Sequence, residues 1–490
     1  MQLGSLLCGV EIEETNIIDF SADIPFFTDR SSRVKAGCAF VCVSGICHDG
    51  HDYIAQALAG GAALIIAQRM TYAVSQSGTP YIITPDTRKA LALMWSAWYS
   101  HPQKSLKLYA VTGTNGKSTT CALLRSVLES AGYPCGIIGS VSNEFAGKAL
   151  PGNPMTTPDP ELLYSLLAQM KNMGARAVVT EASSHALALG RLWGLHFEVG
   201  VFTNLSPEHL DFHVTMDEYA RAKSKLFTMC ERACGNADDP YFDKVTARAR
   251  CPVRSFSVEG DADICAREVM LSSDGIEYMM LTRSELFRIK SPLVGRFSVY
   301  NTLAAASAAY ISGIPSGYIS DGIARLECVP GRMQRIENSL GIYIYVDYAH
   351  TPRALETVLT ELSAEKKGRL ITVFGCGGER DRAKRPLMGR VSAGLSDLTV
   401  ITSDNPRGEP PDAIISEIVT GAQGGTFTVI RDRAEAIRFA LDTARENDTV
   451  LIAGKGHENY QIMSDGLHPF SDIQTVKSII SKKTEPRNEC

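Results

Sequence analysis

The sequence predicts an α/β protein in which doubly wound parallel sheets carry the ligand sites. The chain has 490 residues, enough for about three domains. Short apolar strand patterns alternate with helix patterns over most of its length, as expected for parallel sheets with helical crossovers. Polar clusters follow several strands, at the edge where such sheets bind ligands. We place the domains at 1–103, 104–330 and 331–490.

The first domain is predicted to be a small α/β unit. Strands are expected at Cys38–Val43 and Ala62–Ala67, with a helix at Asp52–Leu58 between them. The segment His101–Lys104 contains a proline that interrupts the pattern. We therefore expect a linker there.

The second domain alternates strand and helix patterns and is predicted to form a parallel, doubly wound sheet. Tyr241–Ser284 is less regular, and we expect a β-rich insertion there. The predicted strands are Leu106–Val111, Gly136–Ile138, Ala177–Thr180 and Val199–Thr203, and the predicted helices include Ser118–Ala131 and Pro160–Met173.

The third domain is predicted to be a second open α/β sheet, which starts after the sequence Val-Pro-Gly at 329–331. Its polar clusters SDNPRGE and GKGHE follow strand ends. The predicted strands are Ile342–Val346, Arg369–Phe374, Leu398–Ile401, Phe427–Ile430 and Thr449–Ile452, and the predicted helices include Pro352–Leu362, Pro411–Val419 and Arg433–Ala444.

Composition argues against several classes of function. The net charge of −5 gives no basic excess that would indicate a nucleic-acid polymer as partner. No apolar run is long enough to span a bilayer, and the acidic start of the chain does not resemble a signal peptide. The 13 cysteines form no CxxC pair, so we expect a reducing, cytoplasmic environment. Cys38, Cys42 and Cys47 are interpreted as apolar filler rather than metal ligands.

Residues 111–120, VTGTNGKSTT, predict a site for a nucleoside triphosphate. The two glycines let backbone N–H groups approach phosphates, and the following helix start favours anions. Lys117 would reach the β- and γ-phosphates, and the Ser118 hydroxyl would bind Mg²⁺. Val111 stands where a full P-loop has its first glycine. The alternative is an ordinary glycine turn with an unrelated lysine.

Glu181 and His209 are candidate magnesium ligands, because each follows a predicted strand of the same sheet. Glu181 has the alternative of a residue beside a helix N-terminus. For His209 an ordinary surface role is equally compatible, although Asn204, Glu208 and Asp211 surround it in the sequence.

Lys223 lies in the helical stretch YARAKSKLF, where lysines usually occupy the solvated face. The alternative is a buried, neutral amine, which could react with CO₂ to form a metal-binding carbamate. The sequence pattern alone does not require it.

Two residues at the start of the third domain are candidate nucleotide contacts. Asp347 ends a predicted strand, and its carboxylate would accept a ribose hydroxyl or, alternatively, cap the next helix. Arg332 would hold a phosphate.

The polar clusters of the third domain suit a zwitterionic ligand. Arginine binds carboxylates in a bidentate manner, and carboxylates bind ammonium groups. The alternative is a surface ion-pair network. GCGGER at 375–380 lacks the spacing of a dinucleotide fingerprint, so NAD is not expected. The candidate residues are Arg385, Asp404, Asn405, Arg407 and Glu458.

Ten motifs occur in order along essentially the whole chain. They are GTNGKST, TTPDP, EASSHAL, NLSPEHLDFH, YARAKSKLF, VPGRMQRI, VDYAHTP, KRPLM, SDNPRGE and GKGHE. In this order they resemble the motifs of the Mur ligase family. The chain departs from the family pattern at four positions. Met155 and Ser298 stand where asparagine is common, Leu189 where glutamine is common, and Glu208 where aspartate is common. None of these departures removes a catalytic group.

The resemblance implies a UDP-sugar-binding first domain, a central P-loop-type ATPase domain and a C-terminal Rossmann-like α/β domain. It implies ATP and Mg²⁺ as cofactors, with Lys117, Glu181, His209 and a carbamylated Lys223 in the catalytic centre. The metal would lie at Ser118, Glu181, His209 and Lys223. The implied ATP-binding residues are Gly113, Thr114, Asn115, Gly116, Lys117, Ser118, Thr119, Asn301 (at the adenine), Arg332 and Asp347.

The resemblance also implies the substrates and a monomeric enzyme of peptidoglycan precursor synthesis. UDP-MurNAc-L-Ala-D-Glu would receive a free diamino acid, and DNPR favours meso-diaminopimelate over the alternatives L-lysine and L-ornithine. A folylpolyglutamate-type ligase would leave residues 1–103 without a role. An ATP-binding scaffold without ligase activity is a further alternative. The implied substrate-binding residues are Ser32, Thr156, Thr157, Ser183 and Arg191 for the UDP-sugar peptide, and Arg385, Asp404, Asn405, Pro406, Arg407, Gly454 and Glu458 for the amino acid.

Overall fold

A computed structural model describes residues 1–45, 48–152, 155–272 and 274–484. The chain divides into two compact units. The first unit comprises Met1–Phe256 and Ala304–Ile319, and the second comprises Ser257–Leu303 and Ser320–Cys490. Of the described helices, none has the length and apolar character needed to cross a membrane.

The N-terminal part of the first unit is a five-stranded sheet with the order β1-β5-β4-β3-β2. All its pairings are parallel except that of β1 with β5. Its elements are α1 (Leu3–Leu6), β1 (Glu14–Thr15), β2 (Phe27–Thr28), β3 (Ala39–Val41), α2 (Ile54–Ala59), β4 (Leu64–Ala67), α3 (Tyr72–Ser77), β5 (Tyr81–Ile83) and α4 (Thr87–Trp98), with 3₁₀ helices at Ser31–Arg33, Gly50–Tyr53 and Pro102–Ser105.

This small sheet is apolar on both faces, as a parallel sheet between helices requires. Ala39 and Val41 pack in one core cluster, whereas Phe40 packs in another. The expected linker at His101–Lys104 is mostly taken up by the short 3₁₀ helix, where Gln103 donates from Nε2 to Ser96 Oγ at 2.7 Å.

The second sheet of the first unit follows in the chain. Its elements are β6 (Lys107–Thr112), α5 (Lys117–Ser130), β7 (Cys135–Ile138), β8 (Asn143–Phe145), β9 (Lys148–Ala149), α6 (Pro160–Asn172), β10 (Ala177–Glu181), α7 (Ser184–Ala188), β11 (Phe197–Phe202), α8 (Leu210–His213), α9 (Met216–Ser224), a 3₁₀ helix at Lys225–Thr228, β12 (Cys230–Asn236), α10 (Phe242–Thr246) and β13 (Val253–Ser257).

Within this unit the strand order runs β13-β12-β11-β6-β10-β7-β8-β9, and the strands from β13 to β7 are parallel. The chain goes from β6 to β7, returns to β10 and then crosses to β11 on the other side of β6. The strand order therefore reverses beside β6, and ligands of open α/β sheets bind at such a point.

The second unit begins with an antiparallel meander and continues into another open sheet. The strand order of this open sheet is β17-β18-β22-β19-β20-β21. All its pairings are parallel except that of β17 with β18. The remaining elements of the chain are β14 (Ile264–Ser272), β15 (Gly275–Leu281), β16 (Leu286–Ser291), α11 (Arg296–Ile311), α12 (Ser316–Arg325), β17 (Gln334–Arg335), β18 (Tyr343–Asp347), α13 (Pro352–Glu365), β19 (Leu370–Phe374), α14 (Lys384–Leu395), β20 (Leu398–Ile401), α15 (Pro411–Ala422), β21 (Phe427–Val429), α16 (Arg433–Thr443), β22 (Thr449–Ala453), β23 (Tyr460–Met463), β24 (Gly466–Pro469) and α17 (Asp472–Thr484).

Helices cover both faces of this sheet. Leu370 and Phe374 of β19 point into a cluster shared with α13, α14 and α15. Ile371 and Val373 point to the other face, toward α16 and α17. The doubly wound α/β class is thus confirmed, and the observed strands and helices lie close to the predicted ones. The insertion at Tyr241–Ser284 contains the helix α10 as well as strands.

Candidate active site

The loop between β6 and α5 can exist only with glycine at its first position. Gly113 has φ +151°, and a Cβ there would lie 1.9 Å from Thr203 Oγ1. Gly116 has φ +83° and precedes the first turn of α5. The loop therefore brings backbone amides and a helix N-terminus to one place, which suits a phosphate group.

The residues that directly follow the neighbouring strand β11 hold this loop in place. Thr203 Oγ1 donates to the Asn115 carbonyl at 2.7 Å. The Asn115 amide donates to Asn204 Oδ1 at 2.9 Å, and Asn204 Nδ2 returns a bond to the Asn115 carbonyl at 3.1 Å. Lys117 Nζ donates to the carbonyls of Gly113 and Thr114 at 3.0 and 2.7 Å, so the ammonium group lies over the loop.

Glu181, the last residue of β10, is buried beside the helix start. Its Oε1 accepts hydrogen bonds from Ser118 Oγ at 3.0 Å, Ser140 Oγ at 2.9 Å and the Ser140 amide at 2.8 Å. The structure thus brings the predicted ligands Ser118 and Glu181 together. Sequence reasoning missed Ser140, although its place two residues after β7 could have drawn attention to it.

His209 lies before α8 with φ +56°. Its ring packs at right angles against that of His185, with centroids 4.8 Å apart, and its Nε2 lies 3.7 Å from Glu208 Oε2. Partial burial lowers the pKa of His209. A neutral imidazole is the form that binds metals.

The side chains of this site can supply only part of the coordination shell of Mg²⁺. In the described ranges, no three His, Cys, Asp or Glu side chains cluster closely enough to hold a metal ion by themselves. Magnesium commonly binds through one or two protein groups and completes its shell with phosphate oxygens and waters. A hydroxyl and a carboxylate beside a phosphate loop match that pattern.

Lys223 is buried, so the solvated-face interpretation is wrong. Only 1% of this residue is exposed, and its Nζ donates to the Gly113 carbonyl at 2.7 Å. Burial, with a smaller contribution from the charge of Lys117, lowers the pKa of Lys223 well below its ordinary value. Burial therefore favours the neutral form of the amine, which is the nucleophilic one.

Three of the residues predicted for the UDP-sugar peptide form a connected group at the end of β10. Thr157 Oγ1 donates to the Glu181 carbonyl at 2.7 Å and accepts from the Ser183 amide at 3.0 Å. Arg191 Nη1 donates to the Thr157 carbonyl at 3.1 Å, and its Nε lies 3.0 Å from Asp159 Oδ1. Thr156 precedes this group in the chain.

Arg191 also lines a cavity of the first unit. Arginine and acidic side chains share its wall, and Leu189 stands there as an apolar residue. The 3₁₀ helix that contains the exposed Ser32 directly follows Asp29 and Arg30 of this wall. The wall is formed by Asp29, Arg30, Val43, Arg88, Leu91, Trp95, Asp159, Pro160, Glu161, Leu189, Gly190 and Arg191.

In the second unit, Asp347 does not cap a helix. Its Oδ2 accepts from the Met333 amide and its Oδ1 from the Ala349 amide, both at 2.7 Å, and burial raises the pKa of Asp347. Thr351 is the N-cap of α13 instead. Arg332 stacks over the ring of Tyr348, 4.6 Å from its centroid. Asn301 is buried on α11.

Arg385 is fully buried and paired with two glutamates that sequence reasoning missed. Its guanidinium donates to both carboxylate oxygens of Glu409, at 2.9 and 3.0 Å, and to Glu417 at 2.9 Å. Its buried Nε has no hydrogen-bond partner among the described residues. The ion-pair interpretation thus describes the contacts of Arg385, although the guanidinium is buried and only its glutamate partners are partly exposed.

The other candidates for the amino-acid pocket meet where β20 and β22 end. Asn405 Nδ2 donates to Glu458 Oε2 at 2.9 Å, and a Cβ on Gly454 would lie 2.7 Å from Asp404 Oδ2. The buried ammonium of Lys455 donates to Asn405 Oδ1 and Glu458 Oε2 at 2.9 and 2.8 Å. Lys455 was missed, although it lies in the GKGHE cluster.

Arg407 and Pro406 shape the same loop. Arg407 has φ +54°, and its Nη1 donates to the Gly378 carbonyl at 2.7 Å. A Cβ on Gly378 would lie 2.0 Å from the carbonyl oxygen of Pro406. The loop after β19 and the loop after β20 are therefore in direct contact, and the guanidinium of Arg407 joins them.

Three family models match the chain. They are described as the Mur ligase family, catalytic domain (23–99), the Mur ligase middle domain (111–309) and the Mur ligase, glutamate ligase domain (331–456).

Curated relatives match over nearly the full length. A protein of Syntrophomonas wolfei named UDP-N-acetylmuramoyl-L-alanyl-D-glutamate–2,6-diaminopimelate ligase is 42% identical, over 93% of this chain and 94% of its own. A relative of the same name from Clostridium perfringens is 39% identical, over 99% of this chain and 100% of its own.

Solved structures are also similar to the chain over nearly its full length. One structure with that ligase name is 32% identical, with a TM-score of 0.70, and covers 99% of this chain and 100% of its own. A MurF from Acinetobacter baumannii, 18% identical with a TM-score of 0.63 and 98% of both chains covered, shows the shared fold.

Replacing Gly139 by alanine is expected to weaken binding of MgATP roughly ten- to a hundredfold. A Cβ at this position would lie 2.3 Å from Glu181 Oε1 and would displace the carboxylate from Ser118. Titration of a fluorescent ATP analogue, with and without Mg²⁺, measures the effect. Gly317→Ala is the matched control, because a Cβ there meets nothing within 4 Å. Equal affinities of both variants would contradict the role given to this contact.

Proposed function

The chain belongs to the Mur ligase family, and from this premise we propose that it joins 2,6-diaminopimelate to UDP-MurNAc-L-Ala-D-Glu at the expense of ATP, as a UDP-MurNAc-tripeptide synthetase. One observation supports the choice most strongly. Relatives that are 37–42% identical to the chain over at least 91% of its length carry the name of a diaminopimelate ligase. L-Lysine and L-ornithine are therefore not favoured as amine donors.

The chemistry requires activation, because a carboxylate does not acylate an amine in water. Transfer of the γ-phosphoryl group from ATP to the side-chain carboxylate of D-glutamate gives an acyl phosphate and ADP. The neutral amine of the diamino acid then attacks the acyl carbon, and phosphate leaves. The ammonium group of Lys117 at the loop would offset negative charge on the transferring group.

Ser118, Glu181 and His209 would hold Mg²⁺, which supplies charge neutralisation at the phosphates when it is bound. Lys223 would complete the site as a carbamate. Its burial supports this proposal, because only a neutral amine adds CO₂, and its place under Gly113 would put the new carboxylate beside the phosphate loop. Thr157, Ser183 and Arg191 would orient the UDP-sugar peptide next to Glu181.

The second unit would supply the amine. Diaminopimelate carries two ammonium and two carboxylate groups, and the loops after β19, β20 and β22 present both signs of charge. Arg385 and Arg407 would bind carboxylates, whereas Asp404 and Glu458 would bind an ammonium group. Arg407 suits the second carboxylate, which lysine and ornithine lack.

Asn301, Arg332 and Asp347 remain proposed contacts of the nucleotide. We also propose that the enzyme works as a monomer in the cytoplasm, where its nucleotide substrates are available. All cysteines in the described ranges are free thiols, as expected in a reducing compartment.

A panel of amino acids is expected to identify the amine donor. With ATP and UDP-MurNAc-L-Ala-D-Glu present, meso-diaminopimelate should stimulate phosphate release, and lysine or ornithine should do so far less. The readout is phosphate release together with the mass of the product. Lys117→Ala should lose turnover by at least about a hundredfold with every amino acid, because removing an electrostatic stabiliser has costs of this order. Faster turnover with lysine would overturn the proposal.

Lys223 is expected to carry a carbamate near neutral pH. Protein equilibrated with ¹³C-bicarbonate should show a carbamate carbon signal in its NMR spectrum. Because burial lowers the pKa of Lys223, the signal should persist at a pH where exposed lysines are protonated. Lys223→Arg, whose guanidinium does not add CO₂, should lack the signal and lose activity. The same signal in both proteins would show that another amine reacts.

A further inference from the structure

We propose that Arg433 is a positioning residue for the amine donor: its buried guanidinium joins the ends of the two strands from which the amino-acid loops start. The inference rests on the proposed function, since it concerns the amine end of the same reaction. Neither the family motifs nor the candidate residues of the sequence include Arg433 or its partner Asp472.

The guanidinium of Arg433 is held in a fixed plane. Arg433 is the first residue of α16 and Asp472 the first of α17, and neither side chain is exposed to solvent. Nε donates to Asp472 Oδ1 at 2.7 Å, and Nη2 donates to Oδ2 at 2.8 Å. A bidentate pair of this kind restricts the rotation of both groups, and its charges are balanced within the core.

The remaining donors of Arg433 reach two strand ends. Nη2 donates to the carbonyl of Ala453, the last residue of β22, at 2.9 Å. Nη1 donates to the carbonyl of Ser403, just after β20, at 3.4 Å. The next residues in the chain are Gly454 and Asp404, which begin the two predicted amino-acid loops. One side chain thus links the ends of two strands that are not adjacent in the sheet order.

The loops have little freedom to compensate if these origins move. A Cβ on Gly454 would lie 2.7 Å from Asp404 Oδ2, so the two loops already touch. Farther along, Lys455 and Glu458 from one loop bond to Asn405 from the other. A shift of either strand end would therefore misalign the groups that face the amino acid, and small misplacements of this kind are costly for catalysis.

The test replaces the pair without leaving a lone buried charge. In the double variant Arg433→Met with Asp472→Leu, apolar side chains of similar size take the place of both charged groups, a change that folded proteins often tolerate. We expect the KM for diaminopimelate to rise on the order of tenfold or more, while the KM values for ATP and the UDP-sugar peptide stay unchanged. Arg433→Lys, which keeps the charge but not the planar fork, should give a smaller rise in the same constant.

A second pair of the same sheet provides the control. Arg369 donates to Asp448 Oδ2 from Nε and Nη2 at 3.0 and 2.7 Å. Both residues directly precede their strands, β19 and β22, so this pair lies at the end of the strands opposite to the amino-acid loops. In Arg369→Met, Asp448 keeps the backbone amides of residue 369 and Arg445 as partners. This variant should lose stability in urea unfolding but retain the wild-type KM for diaminopimelate.

The outcomes separate the two proposals. A wild-type KM for diaminopimelate in the double variant, or an equal rise in Arg369→Met, would overturn the role of Arg433. If the double variant does not fold, Arg433→Lys decides, and an unchanged KM there has the same meaning. A wild-type protein that releases no phosphate with diaminopimelate would overturn the proposed function itself, before any variant is compared.

Discussion

The contact between Gly113 and Thr203 is the constraint on which the first site depends. No other residue fits at position 113, because a Cβ would lie 1.9 Å from the threonine hydroxyl. This approach places the loop on the end of β11, where Thr203 and Asn204 bind Asn115. It also turns the Gly113 carbonyl toward the buried Lys223. The loop amides and the lysine are therefore in place before a ligand arrives, which reduces the cost of ordering them on binding.

The sequence predicted the sheets well because their strands are buried on both faces. Such strands are nearly continuous apolar runs, and β4, β19 and β22 could be located to within a residue or two. The position of the site followed from polar residues directly after these runs. Glu181, which ends β10, and Asp404, three residues after the end of β20, are examples. This rule depends only on the order of residues along the chain, so the sequence contains the necessary information.

Partners that are distant in the sequence could not be predicted in the same way. Glu417 lies on α15 and binds Arg385 on α14, and no local pattern indicates that the two helices bring these charges together. Lys223 was ambiguous for a similar reason. A helix pattern shows which residues share a face, but it does not show that a phosphate loop covers one of them. Its burial is a tertiary property.

The two sites use buried charge differently, and this difference fits their proposed ligands. Lys223 donates to a backbone carbonyl of the loop and forms no hydrogen bond with a carboxylate of the described residues. Burial favours loss of a proton from its ammonium group, which leaves a neutral amine. In the second unit, Arg433 and Lys455 are each bonded directly to a carboxylate. A site whose charges are already balanced gains little from a simple anion. It can select a ligand that brings both signs of charge in the matching order, as an amino acid does.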